Sequence, residues 1–141
     1  MDNYARVEKL LHNYNMLKVN IANIRREIDF IKNSYGIKGV NYDKVGGSSN
    51  ETSNPTEDAA LRKIEEIKKL ESDIRKNEVK LDKINKTLEV LTDIEREVLV
   101  GKYIESKQWW EVAASVRYSE RHCRNIRRRA VLKMAAGIFG D

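Results

Sequence analysis

Residues 109–130 read WWEVAASVRYSERHCRNIRRRA, and the pattern within them sets the predicted architecture. Two short helices that cross at a steep angle need a small residue at the crossing and apolar residues around it. Ala113 supplies the small side chain, and Ser119 is a favourable N-cap for the second helix. The spacing predicts a helix-turn-helix, with one helix from Trp109 or Trp110 to Val116 and another through Ile126 to about Ala136. The predicted buried set is Val112, Val116, Tyr118, Cys123 and Ile126.

The turn between these helices departs from the usual pattern at one position. Many turns of this kind carry glycine where this chain has Arg117, because the backbone there takes a positive φ. An arginine at this position predicts a strained turn or one of a different shape.

The outward face of the second helix carries the residues that point to a function. If Cys123 and Ile126 are buried, the opposite face is exposed to solvent. In the major groove of DNA, arginine suits the O6/N7 edge of guanine, asparagine suits adenine, and glutamate can accept from cytosine N4. Base contacts are therefore predicted for Glu120, Arg121 and Asn125. Phosphate contacts are predicted for Arg117, Ser119, Arg124, Arg127 and Arg128.

Charge is concentrated in the same segment. The chain has 141 residues and a formal net charge of +5. Between Arg117 and Lys133 there are seven basic residues against Glu120 alone, a net +6, so the rest of the chain sums to −1. This distribution favours a polyanionic partner, with double-stranded DNA as the expected one.

Upstream, two long segments show the three-and-four spacing of supercoiled helices. The first extends from Asp2 to Asn33 and the second from Glu57 to Leu91, each about 50 Å long as a helix. Lys63 interrupts the second pattern, where Ile64 can substitute. The predicted seam residues are Val7, Leu10, Tyr14, Leu17, Ile21, Ile24, Ile28 and Ile31, then Ala60, Ile67, Leu70, Ile74, Leu81, Ile84, Leu88 and Leu91.

Asn77 also interrupts the second pattern, and it has two interpretations. A polar residue at one seam position can fix the register of the helices, or it can face water at a point where the helices separate.

The domain prediction follows from these patterns. Residues 1–91 are expected to form a coiled-coil helical hairpin with a flexible loop at 34–56, and residues 92–141 a helix-turn-helix domain. Thr92 and Glu95 form a capping box at the start of the second domain. The helix that follows has an apolar face and ends near residues 105–108. Its apolar face is predicted to be Ile94, Val98, Leu99 and Tyr103. The fold class is therefore all-α. The long helices can pair within one chain or between two, so a monomer and a homodimer stay open.

Other classes of protein are disfavoured by composition. One cysteine and two histidines cannot form an internal disulfide or a credible zinc site. No apolar run approaches the roughly twenty residues of a membrane span, and the N-terminus lacks the order of a signal peptide. No cluster of acid, base or nucleophile has catalytic spacing. We therefore expect a cytoplasmic protein that is not an enzyme and needs no cofactor.

Several segments resemble a known family. These are LTDIEREVL at 91–99, WEVA at 110–113, YSER at 118–121, RRRA at 127–130 and KM at 133–134. They resemble the fourth region of bacterial sigma factors, which reads the −35 promoter element. The whole chain resembles phage transcriptional activators of the RinA/ArpU type, which are sigma-like proteins of Gram-positive prophages. The resemblance implies activation of a phage operon, most naturally of late genes, with host RNA polymerase as a candidate partner.

Two alternatives come from other classes. A phage small terminase subunit also joins a helix-turn-helix to coiled-coil helices, but it binds packaging-site DNA as a ring. The other alternative is an interaction protein whose basic helix binds an acidic protein. Oligomeric state tests the first alternative, and the salt dependence of duplex binding tests the second.

Overall fold

The computed structural model describes residues 1–36 and 55–140, and within these ranges it is all-helical with no β-strand. The predicted all-α class is confirmed. Most of the predicted loop at 34–56 lies outside the described residues, and its two ends, Ser34 and Thr56, are helical. The elements are α1 (Asn3–His12), α2 (Tyr14–Ser34), α3 (Pro55–Val90), α4 (Asp93–Leu99), a π-helical turn (Val100–Ile104), α5 (Trp109–Val116) and α6 (Glu120–Phe139).

The described chain divides into two compact units, and they do not follow the predicted boundary at residue 91. The first unit consists of Met1–Lys18 and Glu78–Asp141, and the second of Val19–Asn77. The apolar residues of α6 explain the difference, because they pack in one core with residues of α1 and the end of α3. This core includes Val7, Leu11, Ile84, Leu88, Leu91, Leu99, Tyr103, Val131 and Met134.

The long helix predicted from Asp2 to Asn33 is interrupted, and the three-and-four spacing of its apolar residues did not predict the break. Asn13 separates α1 from α2, with φ −89° and ψ 1°. Leu11 is fully buried, whereas Leu10, the predicted seam residue, is only half-buried. The buried position moves from Leu10 to Leu11 because α1 packs against α6. The buried side of α1 is therefore not determined by a long partner helix alone.

The second unit pairs α2 with α3. Ile64 is buried, which confirms that it substitutes for Lys63. The Asn77 side chain donates to Oδ1 of Asn20 over 2.7 Å, and the Lys63 ammonium lies 5.8 Å from the centre of the Tyr35 ring. Early α2 thus faces late α3, as expected for helices that run in opposite directions. The amide pair favours a register-fixing role for Asn77. The supercoil and the closed hairpin stay predictions.

The junction of α3 and α4 has the predicted capping box and an additional cap. Thr92 Oγ1 accepts from the backbone N–H of Glu95 at 3.2 Å, and Glu95 Oε1 accepts from the N–H of Thr92 at 3.0 Å. The Arg96 guanidinium donates to three carbonyl oxygens near the end of α3. These belong to Leu88 at 2.9 Å, Glu89 at 3.1 Å and Leu91 at 3.0 Å.

The prediction that Ile94 belongs to the apolar face of α4 is wrong, since its side chain is 37% exposed. Glu95 is buried instead, and it can lie on the covered side because Lys133 of α6 pairs with it at 2.8 Å. Val98, Leu99 and Tyr103 are buried as predicted.

Candidate nucleic-acid interface

The candidate site is built on α5, α6 and the short turn between them. Arg117 follows α5 with φ 63° and ψ 38°, the left-handed conformation, and its N–H bonds to the carbonyl of Ala113 at 2.8 Å. The positive φ expected at this position is therefore present, with an arginine in place of glycine. Ser119 then caps α6, because its Oγ accepts from the backbone N–H of His122 at 3.1 Å. Both helices begin and end close to where the sequence predicted.

A small apolar cluster fixes α6 against α5 and α4. It consists of buried Val98, Val112, Ala113, Cys123 and Ile126, with Trp109 and Val116 packed against it. The predicted burial of Val112, Cys123 and Ile126 is confirmed, and Val116 is half-buried. Burial, and then the charge of Glu120, raise the pKa of the Cys123 thiol. Cys123 is therefore a core residue without the character of a reactive thiolate.

The predicted burial of Tyr118 is wrong. Its side chain is 41% exposed and meets the His122 ring edge-on, with centroids 4.6 Å apart. Arg117, the left-handed residue just before Tyr118, turns the chain, so the tyrosine lies outside the cluster that its spacing predicted it would join. The aromatic residue that packs against the cluster is Trp109, whose side chain is half-buried.

The outward face of α6 carries a stripe of polar side chains. Arg121, Asn125 and Arg128 are four and three residues apart, so they share one side of the helix, and all three are exposed. Arg124 is exposed next to them, as are Glu120, Ser119 and Arg117 at the start of the helix. We call Arg121, Arg124, Asn125 and Arg128 the α6 stripe.

The cations of this region differ in how far they are neutralised. Within residues 1–36 and 55–140, no ion pair involves Arg117, Arg121, Arg128 or Arg129. Arg124 lies 3.6 Å from the Glu120 carboxylate, and both side chains are about half exposed. Four exposed guanidinium groups are thus available to an anion outside the protein.

Arg124 lies over the ring of Trp109, a contact that sequence reasoning missed. The Trp109 ring has three cations near its face: Lys102 Nζ at 5.0 Å, Arg127 Cζ at 5.2 Å and Arg124 Cζ at 5.3 Å. A cation within about 6 Å of the ring centre is attracted to the electron-rich face of the indole. The sequence pattern predicted packing for Trp109 but could not identify which cations would surround it.

Arg127 is not brought together with the other predicted phosphate-binding residues. Its side chain is 27% exposed and lies 3.8 Å from Oε2 of Glu8. Its Nη1 donates to the Tyr103 hydroxyl at 3.4 Å. The reason is the helical period: Arg127 lies four residues after Cys123 and four before Val131, both fully buried, so it shares their side of α6.

Tyr103 is the centre of this internal polar group. Its hydroxyl donates to Oε2 of Glu8 at 2.6 Å, and the His12 ring meets it edge-on with centroids 4.8 Å apart. Burial, followed by the hydrogen bond to Glu8, raises the pKa of Tyr103 well above its usual range. The phenol therefore stays protonated and links α1, the π-helical turn and α6.

The described part of the chain contains neither a membrane-spanning helix nor a metal-binding cluster. None of its helices has the length and apolar content to span a membrane. No group of three or more His, Cys, Asp and Glu side chains among the described residues is arranged to hold a metal ion.

Comparison with known proteins gives one match. A family model described as "Protein of unknown function (DUF722)" matches residues 3–136. No curated protein and no solved structure matches the chain at a significant level.

Proposed function

The chain belongs to the DUF722 family, whose description names no activity, and we propose that it is a sequence-specific DNA-binding regulator of transcription. One observation carries the proposal, namely the outward α6 stripe. Arg121, Asn125 and Arg128 are exposed on one side of a helix whose other side is fixed by buried Cys123 and Ile126. A rigid helix that presents arginine and asparagine side by side is suited to the major groove.

In this proposal the exposed residues have two roles. Arg121 and Asn125 contact base edges in two-pronged geometry. Glu120 is the third candidate for a base contact, although its ion pair with Arg124 competes with this role. Arg117, Ser119, Arg124 and Arg128 contact phosphates and fix the position of α6 in the groove. Arg127 is left out of this set because its guanidinium is engaged with Tyr103 and Glu8.

Electrostatics supports a polyanionic ligand. Seven basic residues lie between Arg117 and Lys133, whereas the rest of the chain sums to −1. Three of the seven are paired with carboxylates, as Lys133–Glu95, Arg127–Glu8 and Arg124–Glu120. The remaining exposed arginines predict an affinity that falls steeply with salt.

Transcription is proposed because of the resemblance to the fourth region of sigma factors and to RinA/ArpU-type activators. We propose activation of a late phage operon, with host RNA polymerase as the partner. The long helices α2 and α3 then serve as an arm or an oligomerisation element, in a monomer or a homodimer.

The experiment that tests this function has two stages. Sites bound by the full chain are selected from random duplexes, and one selected site is then placed upstream of a promoter for in vitro transcription with and without host polymerase. We expect one enriched sequence and more transcript when the protein is present. Arg75→Ala, which removes an exposed arginine of α3, is the matched control and should select the same sequence.

Three outcomes would contradict the proposal. Selection without an enriched sequence would exclude base reading. A ring-shaped assembly by native mass spectrometry that binds the selected site without raising transcription would favour DNA packaging. Equal competition by acidic peptides and duplex DNA would favour an interaction protein.

A further inference from the structure

A groove of about 660 Å³ lies in the first compact unit, among α1, the start of α2, the end of α3 and the end of α6. None of the α6 stripe residues lines it. Apart from the exposed Met1, its apolar lining comes from half-buried side chains of α1, α2 and α6. Its cationic lining comes from exposed side chains of α1 and α3. The apolar set is Leu10, Leu17, Ile138 and Phe139, and the cationic set is Arg6, Lys9, Lys80 and Lys83.

The charge of this groove is unbalanced. No carboxylate is among its described lining residues, and no ion pair of Lys9, Lys80 or Lys83 exists within the described ranges of the chain. By contrast, Lys86, which lies three residues after Lys83 on α3 and outside the groove, is paired with Asp82 at 3.1 Å. The groove is therefore complementary to a ligand that brings its own negative charge.

The arrangement of the cations indicates the shape of that ligand. Arg6 and Lys9 are one helical turn apart on α1, and Lys80 and Lys83 are one turn apart on α3. Arg6 is held in place, because its Cζ lies 3.8 Å from the centre of the Phe139 ring and its Nη1 donates to Asn3 at 3.1 Å. An apolar channel with cations on two helices matches a helix that has one apolar stripe flanked by acidic residues.

We propose that this groove docks an acidic amphipathic helix of a partner protein, with the apolar side chains of that helix in the groove and its carboxylates against the cations of α1 and α3. The proposal goes beyond DNA binding and does not depend on it, because the two surfaces share no residue.

The test uses the full chain and a fluorescent synthetic helix of Glu, Leu and Ala, with leucines at i, i+3, i+4 and i+7 and glutamates on both sides of them. Fluorescence anisotropy should show saturable binding. A scrambled peptide of the same composition should bind about tenfold more weakly, because it cannot place its leucines on one side.

Charge reversal on α3 identifies the site. Lys80→Glu combined with Lys83→Glu should weaken peptide binding at least about tenfold, since two attractions become repulsions. The matched control is Lys69→Glu with Lys76→Glu, which reverses two exposed charges of the same helix outside the groove. This control variant should retain more of the peptide affinity than the Lys80→Glu, Lys83→Glu variant does. Circular dichroism checks that both double variants are folded.

Three results would overturn the proposal. The scrambled peptide could bind as well as the amphipathic one, which would leave only charge attraction. The two double variants could lose equal affinity. Finally, Lys80→Glu with Lys83→Glu could weaken duplex DNA binding as much as peptide binding, and the cations would then belong to a DNA contact.

Discussion

Arg127 Nη1 donates to the hydroxyl of Tyr103 across 3.4 Å, and so ties the helix that carries the candidate interface to the interior of its own unit. The same hydroxyl donates to Glu8 of α1. The arginines of α6 therefore divide by helical phase, with Arg127 facing inward and Arg128 outward. This division separates effects on stability from effects on binding.

The first prediction compares these neighbouring arginines. Arg127→Ala should lower the free energy of unfolding by about 1 to 3 kcal/mol, because Glu8 then loses a half-buried cationic neighbour and the Tyr103 hydroxyl loses a hydrogen-bond donor. Arg128→Ala should leave stability within about 0.5 kcal/mol while weakening duplex binding. Urea denaturation and anisotropy with labelled DNA measure the two effects. Equal stability of the two variants would contradict the internal role of Arg127.

The second prediction concerns base reading. Arg121→Ala and Asn125→Ala should each cost about 1 to 3 kcal/mol of binding to the selected site and relax its sequence preference. Neither should change the unfolding midpoint, since both side chains are exposed. Binding to selected and mutated duplexes is compared, with Arg75→Ala as the control. Unchanged selectivity in both variants would mean that another face of α6 meets the DNA.

The third prediction uses the left-handed turn residue, φ 63° at Arg117. Arg117→Gly should raise the free energy of unfolding by about 0.5 to 1 kcal/mol, because relief of Cβ strain exceeds the added entropy of the unfolded chain. Arg117→Ala keeps the Cβ and should bring no such gain. Both variants should weaken duplex binding and reduce its salt slope by about 1. Thermal unfolding and salt titrations test this, and a gain for alanine equal to that for glycine would refute the strain argument.

The fourth prediction is a pH dependence at Glu95. Burial alone would raise the pKa of this carboxyl, but hydrogen bonds from Lys133 and Thr92 and the charge of Lys133 outweigh it and lower the pKa. The stabilisation is therefore complete above the unfolded-state pKa of about 4.3 and is lost as the pH falls through the lower folded-state pKa.

Glu95→Gln should cost about 1 kcal/mol at neutral pH and should remove this acid-dependent component. Unfolding free energies of wild type and variant, measured from neutral pH into the acid range, should converge at low pH. A constant difference at every pH would show that the Lys133 pair does not stabilise the fold.

The fifth prediction concerns Arg96, which caps the end of α3. Arg96→Ala should lower the free energy of unfolding by about 1 to 3 kcal/mol, because carbonyls of Leu88, Glu89 and Leu91 lose their donor. Arg96→Lys should lose less of the free energy of unfolding than Arg96→Ala, but it should not reach the wild-type value. A single ammonium lacks the planar guanidinium fork that spans these oxygens. If Arg96→Lys were as stable as the wild type, the positive charge of Arg96 and not its fork of hydrogen bonds would account for its effect.

Local patterns in the chain were enough to predict several features. Helix caps and helical periods depend on residues at most four apart, so the Thr92 and Ser119 caps, the bounds of α5 and α6, and the burial of Cys123 and Ile126 followed from spacing. The exposure of Arg121 and Asn125 followed in turn. Arg117 in a left-handed turn was foreseeable for the same reason.

Packing between distant segments determined the rest. The inward turn of Arg127 requires Glu8 and Tyr103, which are far from it along the chain, and no pattern within α6 reveals that α1 covers that side. The break at Asn13, the burial of Glu95 opposite Lys133 and the cations around Trp109 arise in the same way. Each depends on which helix lies beside which, and that arrangement comes from the sum of many weak apolar contacts that no short stretch of residues encodes.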